Sequence, residues 1–512
     1  MSAAFRSVLI SDPVDQSCGE LLVRHGIPVT TKYKLSKEEL IKELQKHDSL
    51  IVRSETKVTS DVFACCPNLR VVGRAGTGVD NIDLQAATRK GVIVLNTPGG
   101  NSISACELTC ALISALARNV AQAAQSLKEG RWDRKQYSGF ELSGKTLAVL
   151  GMGRIGREVA RRMQSYGMHV VAFDPILTAE EAARLAVDKL SLDEIWPLAD
   201  YITVHTPLIP QTRNLISTAT LAKCKKGVRI VNVARGGIVD EEALLSSLEA
   251  GHCGGAALDV FAEEPPKSPA TLKLIAHPKV IATPHLGAST AEAQQRVALE
   301  IAQQFLALAR KSTEYPVTGI VNAPILSAAL TDENAPWIEL SSKLGKLAAR
   351  FMKGKLNAAV QIQMIGSELQ EKSFVQTAIL VGILSGQTKN GLNMINAPTL
   401  AREVGVDLQG SHVEADGKAI LVQVEGHRIK GTVRDNQPLL LSLDDAVFAN
   451  GVALADYAVS MYRAKGIQDV AQIVNSFSAK AVNIHNLNAS GSWVLVQTDR
   501  EVSIEVDGIE SF

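Results

Sequence analysis

Short apolar segments alternate with polar, helix-like segments over residues 6–97. Lys37–His47 and Ile82–Lys90 have the pattern of helices, and Ser36 with Glu39 predicts a capping box at the start of the first one. The apolar segments predict four strands: Ser7–Ile10, Leu50–Arg53, Arg70–Val72 and Val92–Leu95. Alternation of strands and helices is typical of a parallel α/β sheet.

A long helix separates this block from a second α/β block. Asn101–Asn119 predicts that helix, with Ser104 and Glu107 as another capping box. Six apolar segments after it predict buried strands: Lys145–Leu150, His169–Asp174, Tyr201–His205, Val228–Val233, Ala256–Val260 and Val280–Thr283. Helix-like stretches lie between them: Arg157–Tyr166, Glu180–Ala186 and Asp240–Ala250. Three strands after a Gly-rich turn and then three more fit a doubly wound nucleotide domain, and residues 291–311 predict one further helix.

Beyond about residue 314 the pattern becomes α+β. Tyr315–Pro324 reads as a linker. The segments after it predict helices at Ile338–Phe351 and Ile467–Ser476 and strands at Ala358–Met364, Ala419–Val424, Leu439–Leu443, Tyr457–Tyr462, Ala481–Asn486 and Ser492–Thr498. This region contains no concentration of reactive side chains, so we expect it to serve regulation or assembly.

Composition narrows the class of protein. The chain has 512 residues, 46% apolar and 21% charged, with 53 basic and 53 acidic side chains. This length suits about three domains, and the charge balance gives no reason to expect nucleic acid or a membrane as a partner. We find neither an apolar run of about 18 residues nor a signal peptide, and the seven Cys contain no C-x-x-C. We therefore expect a cytoplasmic protein with reduced thiols and no metal site.

The strongest motif is a glycine fingerprint between a predicted strand and a predicted helix. It reads Gly151-Met152-Gly153-Arg154-Ile155-Gly156. The first glycine allows a tight turn, the second allows close approach of a pyrophosphate, and the third allows the helix to pack on the strand. Asp174 closes the next strand, where its carboxylate would bind ribose hydroxyls and repel a 2′-phosphate, so the motif favours NAD over NADP.

Three further segments place reactive side chains just after predicted strands: Arg235 after one, Glu263 and Glu264 after the next, and His285 after the third. The carboxyl ends of parallel strands are where ligands bind. Imidazole is a natural acid/base near neutral pH, and a guanidinium group matches a carboxylate. Each segment alone also fits an ordinary surface loop or turn, so the spacing leaves both interpretations open.

Together these segments resemble the signatures of the D-isomer-specific 2-hydroxyacid dehydrogenases. The resemblance covers residues 5 to about 325 and rests on Val231–Gly237, Ala257–Pro265 and Thr283–Ala288. It implies that His285 is the general acid/base, that Glu264 pairs with it, and that Arg235 binds the substrate carboxylate. The cofactor contacts expected beside Gly151, Gly153, Arg154, Ile155, Gly156 and Asp174 are Thr77, Thr206, Pro207, Val233, Ala234, Asp259, Gly287 and Ala288.

Within that family, the N-terminal segments resemble the branch that oxidises 3-phospho-D-glycerate, the first step of serine synthesis. Val72–Asn81, Asn96–Ser102 and Gly130–Lys135 carry this similarity. A phosphorylated acid suits two arginines at strand ends, and we expect Arg53 and Arg74 to bind it, with the Gly76 backbone reaching the ligand. Arg134, or Lys135, is expected to add positive charge from a partner subunit.

The resemblance also implies an architecture. A discontinuous, flavodoxin-like substrate domain would comprise residues 1–98 and 286–313, around a Rossmann-type NAD domain at 99–285. An intervening regulatory domain at 314–455 and an ACT-like domain at 456–512 would follow. Family members dimerise through the NAD domain, and long members tend towards tetramers, so we expect a homo-oligomer.

Two other functions fit parts of the same pattern. A reductase of glyoxylate or hydroxypyruvate would share the fold and the acid/base pair but would not need Arg53 and Arg74. A non-catalytic, NADH-sensing corepressor would keep the glycine fingerprint, but the long α+β tail argues against it.

Overall fold

The computed structural model contains four β-sheets within the residues that it describes, which are 5–329, 331–354, 357–370, 372–386, 391–454, 458–464, 467–476, 492–498 and 510–511. Two parallel sheets come first along the chain, and a mixed sheet and a small antiparallel sheet follow. The protein is therefore an α/β protein with an α+β C-terminal region, as the alternation of segments predicted.

The first sheet has the strand order β2-β1-β3-β4-β5, all parallel, which is the order of flavodoxin-like folds. Its strands are β1 (Val8–Ile10), β2 (Val29–Thr31), β3 (Ser49–Val52), β4 (Val71–Arg74) and β5 (Ile93–Leu95). The helices between them are α1 (Ser17–Arg24), α2 (Lys37–Leu44), α3 (Ser60–Cys65) and α4 (Leu84–Arg89). The predicted capping box of Ser36 and Glu39 begins α2.

The second sheet has seven parallel strands in the order β12-β11-β10-β9-β6-β7-β8. Strands β6 to β8 are added in one direction and strands β9 to β12 in the other, so the strand order reverses between β6 and β9. Doubly wound sheets bind ligands at such a switch point. The strands are β6 (Thr146–Leu150), β7 (His169–Phe173), β8 (Asp188–Lys189), β9 (Tyr201–Val204), β10 (Arg229–Asn232), β11 (Gly255–Leu258) and β12 (Val280–Ala282). The helices are α5 (Ser102–Ala117), α6 (Val120–Lys128), α7 (Arg154–Gln164), α8 (Ala179–Arg184), α9 (Leu192–Ile195), α10 (Thr218–Lys223), α11 (Glu241–Glu249) and α12 (Pro269–Ile275).

Helix α13 (Ala291–Leu308) returns the chain to the first sheet after the second one is complete. Phe305 and Ile301 on this helix lie so close to Gly73 of β4 that a side chain at position 73 would collide with them. The domain of the first sheet therefore contains residues that precede the second sheet in the chain and residues that follow it. This arrangement allows loops from the two sheets to face each other.

The C-terminal region builds its own layers. Its mixed sheet has the order β14-β13-β15-β16-β17-β18, and its small antiparallel sheet has the order β20-β19-β21. The strands are β13 (Ala359–Ile365), β14 (Asp407–Val413), β15 (Ala419–Val424), β16 (His427–Arg434), β17 (Gln437–Leu443), β18 (Ala446–Ala453), β19 (Ala458–Ala464), β20 (Ser492–Thr498) and β21 (Glu510–Ser511). The helices are α14 (Ile325–Ala329), α15 (Ala335–Phe351), α16 (Phe374–Leu384), α17 (Ala397–Glu403) and α18 (Ile467–Ser476), with a 3-10 turn at Ser367–Leu369.

The predicted strands that fall on described residues agree with the observed ones to within two residues at each end. The expected strand Ala481–Asn486 lies outside the described residues. The second capping box was wrong: α5 begins at Ser102, so Ser104 lies inside its first turn. The Ser104 hydroxyl instead shares a hydrogen bond of 2.7 Å with the Thr290 hydroxyl just before α13.

No single helix in the described parts of the chain is both long and apolar enough to cross a membrane, although α5 and α6 would pass as a pair that is bent by 67°.

Candidate active site

Loops from the carboxyl ends of both parallel sheets meet in one cleft. Arg74 ends β4 in the first sheet, whereas Arg235 follows β10 in the second. Asp80 lies between them, with its Oδ2 3.6 Å from Arg74 Nη1 and 3.2 Å from Arg235 Nε. The structure thus brings together side chains that are far apart in the sequence and that were predicted separately.

His285 and Glu264 contact each other, and their expected role as an acid/base pair stays a prediction. His285 Nδ1 lies 2.6 Å from Glu264 Oε2. Because an ionised carboxylate can only accept, Nδ1 carries the proton in this bond, and Nε2 is left to exchange a proton with a ligand. The side chains are 48% and 35% exposed, respectively, so the pair borders the open cleft.

The surroundings of Glu264 keep it ionised. Burial by itself would raise its pKa, but hydrogen bonds from His285 and from the backbone N–H of Phe261, together with the positive charges of His285 and Arg235, more than offset this. The pKa of Glu264 therefore lies below its ordinary value. An ionised Glu264 accepts the hydrogen bond from Nδ1 and so fixes the orientation of the imidazole.

Asp259 holds the loop that carries His285. Its carboxylate is fully buried and accepts hydrogen bonds from the Thr283 hydroxyl at 2.6 Å, the Leu286 N–H at 2.7 Å and the Gly287 N–H at 2.8 Å. The loop needs this support because His285 has a φ of 55°, which is unusual for a residue with a side chain. These contacts position the histidine loop, and the expected contact of Asp259 with the cofactor stays a prediction.

Arg235 lies on a turn that its neighbours define. Asn232 accepts from the Ala234 N–H at 3.0 Å and donates to the Arg235 carbonyl at 2.8 Å. A Cβ on Gly236 would overlap the Phe261 carbonyl, so only glycine allows the Arg235 loop to pass this close to the Glu264 loop. The Arg235 side chain is 30% exposed, and its guanidinium group pairs with Asp80 in the cleft.

Arg53 and Arg74 lie deeper on the same side of the cleft. Arg74 is only 14% exposed, and burial lowers its pKa, as do the positive charges of Arg235 and Arg53. Burial also lowers the pKa of Arg53, whose Nη1 donates to the Gln294 side chain. Among the described residues, Arg53 Nε and the Nε and Nη1 of Arg74 have no hydrogen-bond partner, although all three are buried. Two guanidinium groups with three unpaired donors, next to the charge of Arg235, are suited to bind an anion.

The loop after β4 provides backbone at this anion site. Gly76 has a φ of 158° and faces open space, whereas a Cβ on Gly78 would collide with Arg235 and Arg74. Thr77 lies between them and donates hydrogen bonds to the Asn101 side chain at 2.5 Å and to the Thr97 carbonyl at 3.2 Å. Thr77 therefore connects the arginine loop to the start of α5.

The glycine fingerprint has the geometry that a bound pyrophosphate needs. Gly151 has a φ of 101° and lies against the His205 carbonyl, and a Cβ on Gly156 would overlap the Gly151 carbonyl. A Cβ on Gly153, in contrast, would meet nothing within 4 Å. Since Gly153 caps the N-terminus of the 11-residue helix α7, an open space lies at the positive end of this helix.

Arg154 and Asp174 flank this open space. Arg154 is exposed and donates to the Pro98 carbonyl at 2.9 Å. Asp174 accepts from the backbone N–H groups of Met152 at 2.7 Å and Ile176 at 2.8 Å, and it still has acceptor capacity for a ribose hydroxyl. The residues present therefore fit a dinucleotide that carries no 2′-phosphate.

The remaining predicted cofactor residues follow the carboxyl ends of strands in the second sheet, except for one residue on α7. Thr206 follows β9, and its buried Oγ1 has no hydrogen-bond partner among the described residues, which leaves it available to a ligand. Pro207 next to it is exposed. The other members of this set are the partly buried Ile155, the buried Val233 and Gly287, and the half-buried Ala234 and Ala288.

Arg134 is not in the cleft. The Ser126 hydroxyl on α6 donates to neighbouring Asp133 at 2.7 Å, and Gln122 on α6 donates to the Pro278 carbonyl at 3.1 Å, just before β12. The segment next to Arg134 is therefore held by α6, which contacts the chain just before β12 begins. Within one chain the structure does not bring it to the substrate, and any contribution would have to come from a partner subunit.

Sequence reasoning missed Asp80 and Gln294. Asp80 belongs to the quoted segment Val72–Asn81, where an acidic residue two positions after Gly78 was a usable signal. Gln294 lies on α13 and meets Arg53 only because that helix returns to the first sheet. No His, Cys, Asp and Glu cluster suitable for a metal ion occurs among the described residues.

Comparison with known proteins gives consistent matches. Residues 110–287 match the family model of the "D-isomer specific 2-hydroxyacid dehydrogenase, NAD binding domain", and residues 334–440 match that of the "D-3-phosphoglycerate dehydrogenase intervening domain". D-3-phosphoglycerate dehydrogenase of Homo sapiens is 50% identical over 463 residues, which cover 88% of this chain and 86% of the human protein. The Bacillus subtilis enzyme of the same name is 43% identical over 431 residues, which cover 83% and 80%.

A solved structure supports the same relationship at the level of the fold. D-lactate dehydrogenase from Aquifex aeolicus, complexed with NAD and lactic acid, matches with a TM-score of 0.56 and 26% identity. The match covers 62% of this chain and 99% of the Aquifex chain.

Proposed function

This chain belongs to the D-3-phosphoglycerate dehydrogenases within the D-isomer-specific 2-hydroxyacid dehydrogenase family, and on that premise we propose that it oxidises 3-phospho-D-glycerate to 3-phosphohydroxypyruvate with NAD, the first step of serine synthesis. The observation that carries this assignment is the position of three arginines, Arg53, Arg74 and Arg235, on one side of the cleft, with the His285–Glu264 pair beside them.

The NAD site lies at the glycine turn. Gly153 leaves room for the pyrophosphate at the start of α7, Gly151 and Gly156 allow the turn and the helix packing beside it, and Asp174 is placed to accept from the ribose hydroxyls. When bound, NAD supplies the acceptor for the hydride that leaves C2 of the substrate. Thr206 offers a buried, unpaired hydroxyl from the neighbouring strand end.

The arginines orient the substrate. Arg235 lies nearest to Glu264 and contributes to its electrostatic environment, so we assign it to the carboxylate next to C2. Arg53 and Arg74 then bind the phosphate through their unused N–H groups. A guanidinium group binds a carboxylate or phosphate through a planar pair of donors, so this arrangement fixes which face of C2 is presented.

His285 performs the proton transfer. With Nδ1 donating to Glu264, Nε2 accepts the proton of the C2 hydroxyl as the carbonyl forms. The ionised Glu264 stabilises the positive charge that develops on the imidazole. In the reverse direction the same nitrogen returns the proton, which makes His285 a general acid.

We also assign the remaining architecture by resemblance. Residues 1–98 and 286–313 form the substrate domain, 99–285 the NAD domain, 314–455 the intervening domain and 456–512 an ACT-like domain. Large apolar side chains are exposed on α6 and the loop after it, and these support a dimer through the NAD domain: Val120, Leu127, Trp132 and Phe140. In such a dimer Arg134 would be available to the neighbouring subunit. A tetramer and a cytoplasmic location complete this proposal.

The experiment is to follow NADH formation at alkaline pH with a carbonyl trap, because the trap removes the product of an unfavourable equilibrium. The substrates compared are 3-phospho-D-glycerate, D-glycerate and D-lactate. His285→Ala should lower kcat by about 10²–10⁴-fold, the usual contribution of a general acid/base. His169→Ala is the matched control, since His169 also pairs with a carboxylate, Asp188, at 2.8 Å but lies at the amino end of β7.

Preference for the phosphorylated acid that is lost in His285→Ala supports the assignment. Activity with only the unphosphorylated acids would keep the family and reject the substrate. Tight NADH binding without turnover of any acid would favour a sensor.

A further inference from the structure

Asp80 occupies an unusual place in the anion site. One of its oxygens, Oδ2, lies at ion-pair distance from both Arg74 Nη1 and Arg235 Nε. Asp80 is 64% exposed, whereas Arg74 is 14% exposed. The carboxylate therefore reaches from the solvent side over cations that are already partly buried, and it can leave without opening the protein core.

The arginines need negative charge there. Arg53, Arg74 and Arg235 lie close enough for the positive charges of Arg235 and Arg53 to lower the pKa of Arg74, in addition to the larger effect of burial. Buried donors without partners are unfavourable, and Arg74 has two of them. Asp80 compensates part of this charge at distances that are too long for strong hydrogen bonds.

Side chains of the anion site crowd the space next to the Gly78 backbone. A Cβ at this position would lie 2.6 Å from Asp80 Oδ2 and 2.8 Å from Arg74 Nη1, and it would overlap Arg235 Nη2. All three side chains thus converge on the same point above the glycine backbone. An acidic group that bridges Arg74 and Arg235 must enter the place that Asp80 Oδ2 now holds.

We propose that Asp80 is an exchangeable counter-ion, which neutralises Arg74 and Arg235 in the free enzyme and is displaced by an acidic group of the substrate. This inference rests on the proposed function for the identity of the substrate, but it applies to any anion that binds these arginines. Asp80 then competes with the substrate and sets its affinity, and it takes no part in the hydride or proton transfer.

The test is Asp80→Asn in the full-length chain, with Asp80→Ser as a second variant that also removes the charge. KM for 3-phospho-D-glycerate and the inhibition constant of inorganic phosphate should each fall by roughly fivefold, the scale of one partly exposed ion pair. The kcat should stay within about twofold, since Asp80 touches neither His285 nor Glu264 in the contacts of this cleft. Phosphate alone should also raise the Tm of the variants more than that of the wild type.

Asp61→Asn is the matched control. Asp61 is 60% exposed and pairs with Lys37 and not with an arginine of the cleft, so Asp61→Asn changes the net charge equally. A higher KM in both Asp80 variants would show that Asp80 only orients the arginines and would overturn the proposal, as would an unchanged KM. If the wild type fails to oxidise 3-phospho-D-glycerate but phosphate still stabilises the Asp80 variants more strongly, the substrate assignment fails and the counter-ion role stands.

Discussion

The role of a buried or half-buried carboxylate in this protein depends on the groups that donate hydrogen bonds to it. Asp259 is fully enclosed by donors from the histidine loop and is structural in its contacts. Glu43 on α2 instead has two lysine partners, Lys32 at 2.9 Å and Lys46 at 3.1 Å. These hydrogen bonds lower the pKa of Glu43 to about 2. A single acidic residue thus acquires its role from its neighbours and not from its own chemistry.

Glu43 gives a prediction about acid stability. A carboxylate with a lowered pKa stabilises the folded state above its unfolded pKa, about 4.3, and this stabilisation disappears as the pH falls towards the folded value of about 2. Glu43→Gln should therefore be less stable than the wild type at pH 4.5, and the difference should close between pH 4.3 and 2. Urea unfolding between pH 4.5 and 2.5 measures it. A gap that widens on acidification would contradict the assignment of the pKa shift to the lysine pair.

At the scale of elements, the strand–turn–helix unit β6–α7 shows how three glycines of one motif serve different purposes. Gly156 faces the backbone of the turn, so it is required for packing. Gly153 has an ordinary backbone conformation and empty space in front of it, so nothing in the folded protein itself requires a glycine there. The space is needed only when a ligand approaches the start of the helix.

This difference predicts opposite results for two alanine variants. Gly156→Ala should destabilise the protein by about 1–3 kcal/mol, because the collision with the Gly151 carbonyl outweighs the better helix propensity of alanine. Gly153→Ala should leave the Tm nearly unchanged but weaken NADH binding by about tenfold or more, since the methyl group takes the place of the pyrophosphate. Thermal unfolding and fluorescence titration with NADH separate the two effects. Normal NADH affinity in Gly153→Ala would place the pyrophosphate elsewhere.

At the scale of the whole molecule, the C-terminal region is docked on the first sheet. Asn393 donates to the Gly91 carbonyl at 2.7 Å, and Arg89 and Glu403 form an ion pair of 3.2 Å. Gly91 lies so close to Asn393 that any side chain there would collide with it. The turn after α4 is therefore the point where the C-terminal layers hold the domain that carries Arg53 and Arg74.

Asn393→Ala should loosen this docking. Losing a bond to a partly buried carbonyl should favour local opening by about 1 kcal/mol, so amide hydrogen exchange over α17 should become roughly fivefold faster. Asn68→Ala, an exposed asparagine on the same domain, is the control. Equal exchange rates in both variants would mean that other contacts hold the C-terminal region in place.

The accuracy of the sequence predictions followed the strength of the local signal. Central strands such as β6 and β9 are continuous apolar runs and were located closely. The edge strand β2 was missed because Val29–Thr31 is not fully buried and lacks that pattern. Helix α16 was missed for the opposite reason: it is apolar on all sides and packs on α15, where Gly382 and Gly345 lie in contact, so it has no polar face to reveal a helical period.

Motif chemistry was readable from the sequence because it depends on residue types next to one another. Apolar runs of neighbouring residues predicted the strands, and the motif residues follow these strands directly in the sequence. They are the glycine turn, Asp174, Glu264 and His285. The sequence did not predict the hydrogen bonds of the Asp259 carboxylate or the positive φ of His285. Both depend on how the loop after β12 packs against the end of β11.

By itself, the sequence determined the α/β class, NAD as the cofactor and the types of reactive group, since propensity, apolar periodicity and short motifs act over neighbouring residues. Only the tertiary structure decided that Asp80 lies between Arg74 and Arg235, and that Arg53 meets Gln294 of α13. The physical reason is that α13 returns to β4 after the second sheet is complete, and the sequence contains no local signal for contacts formed across such a distance.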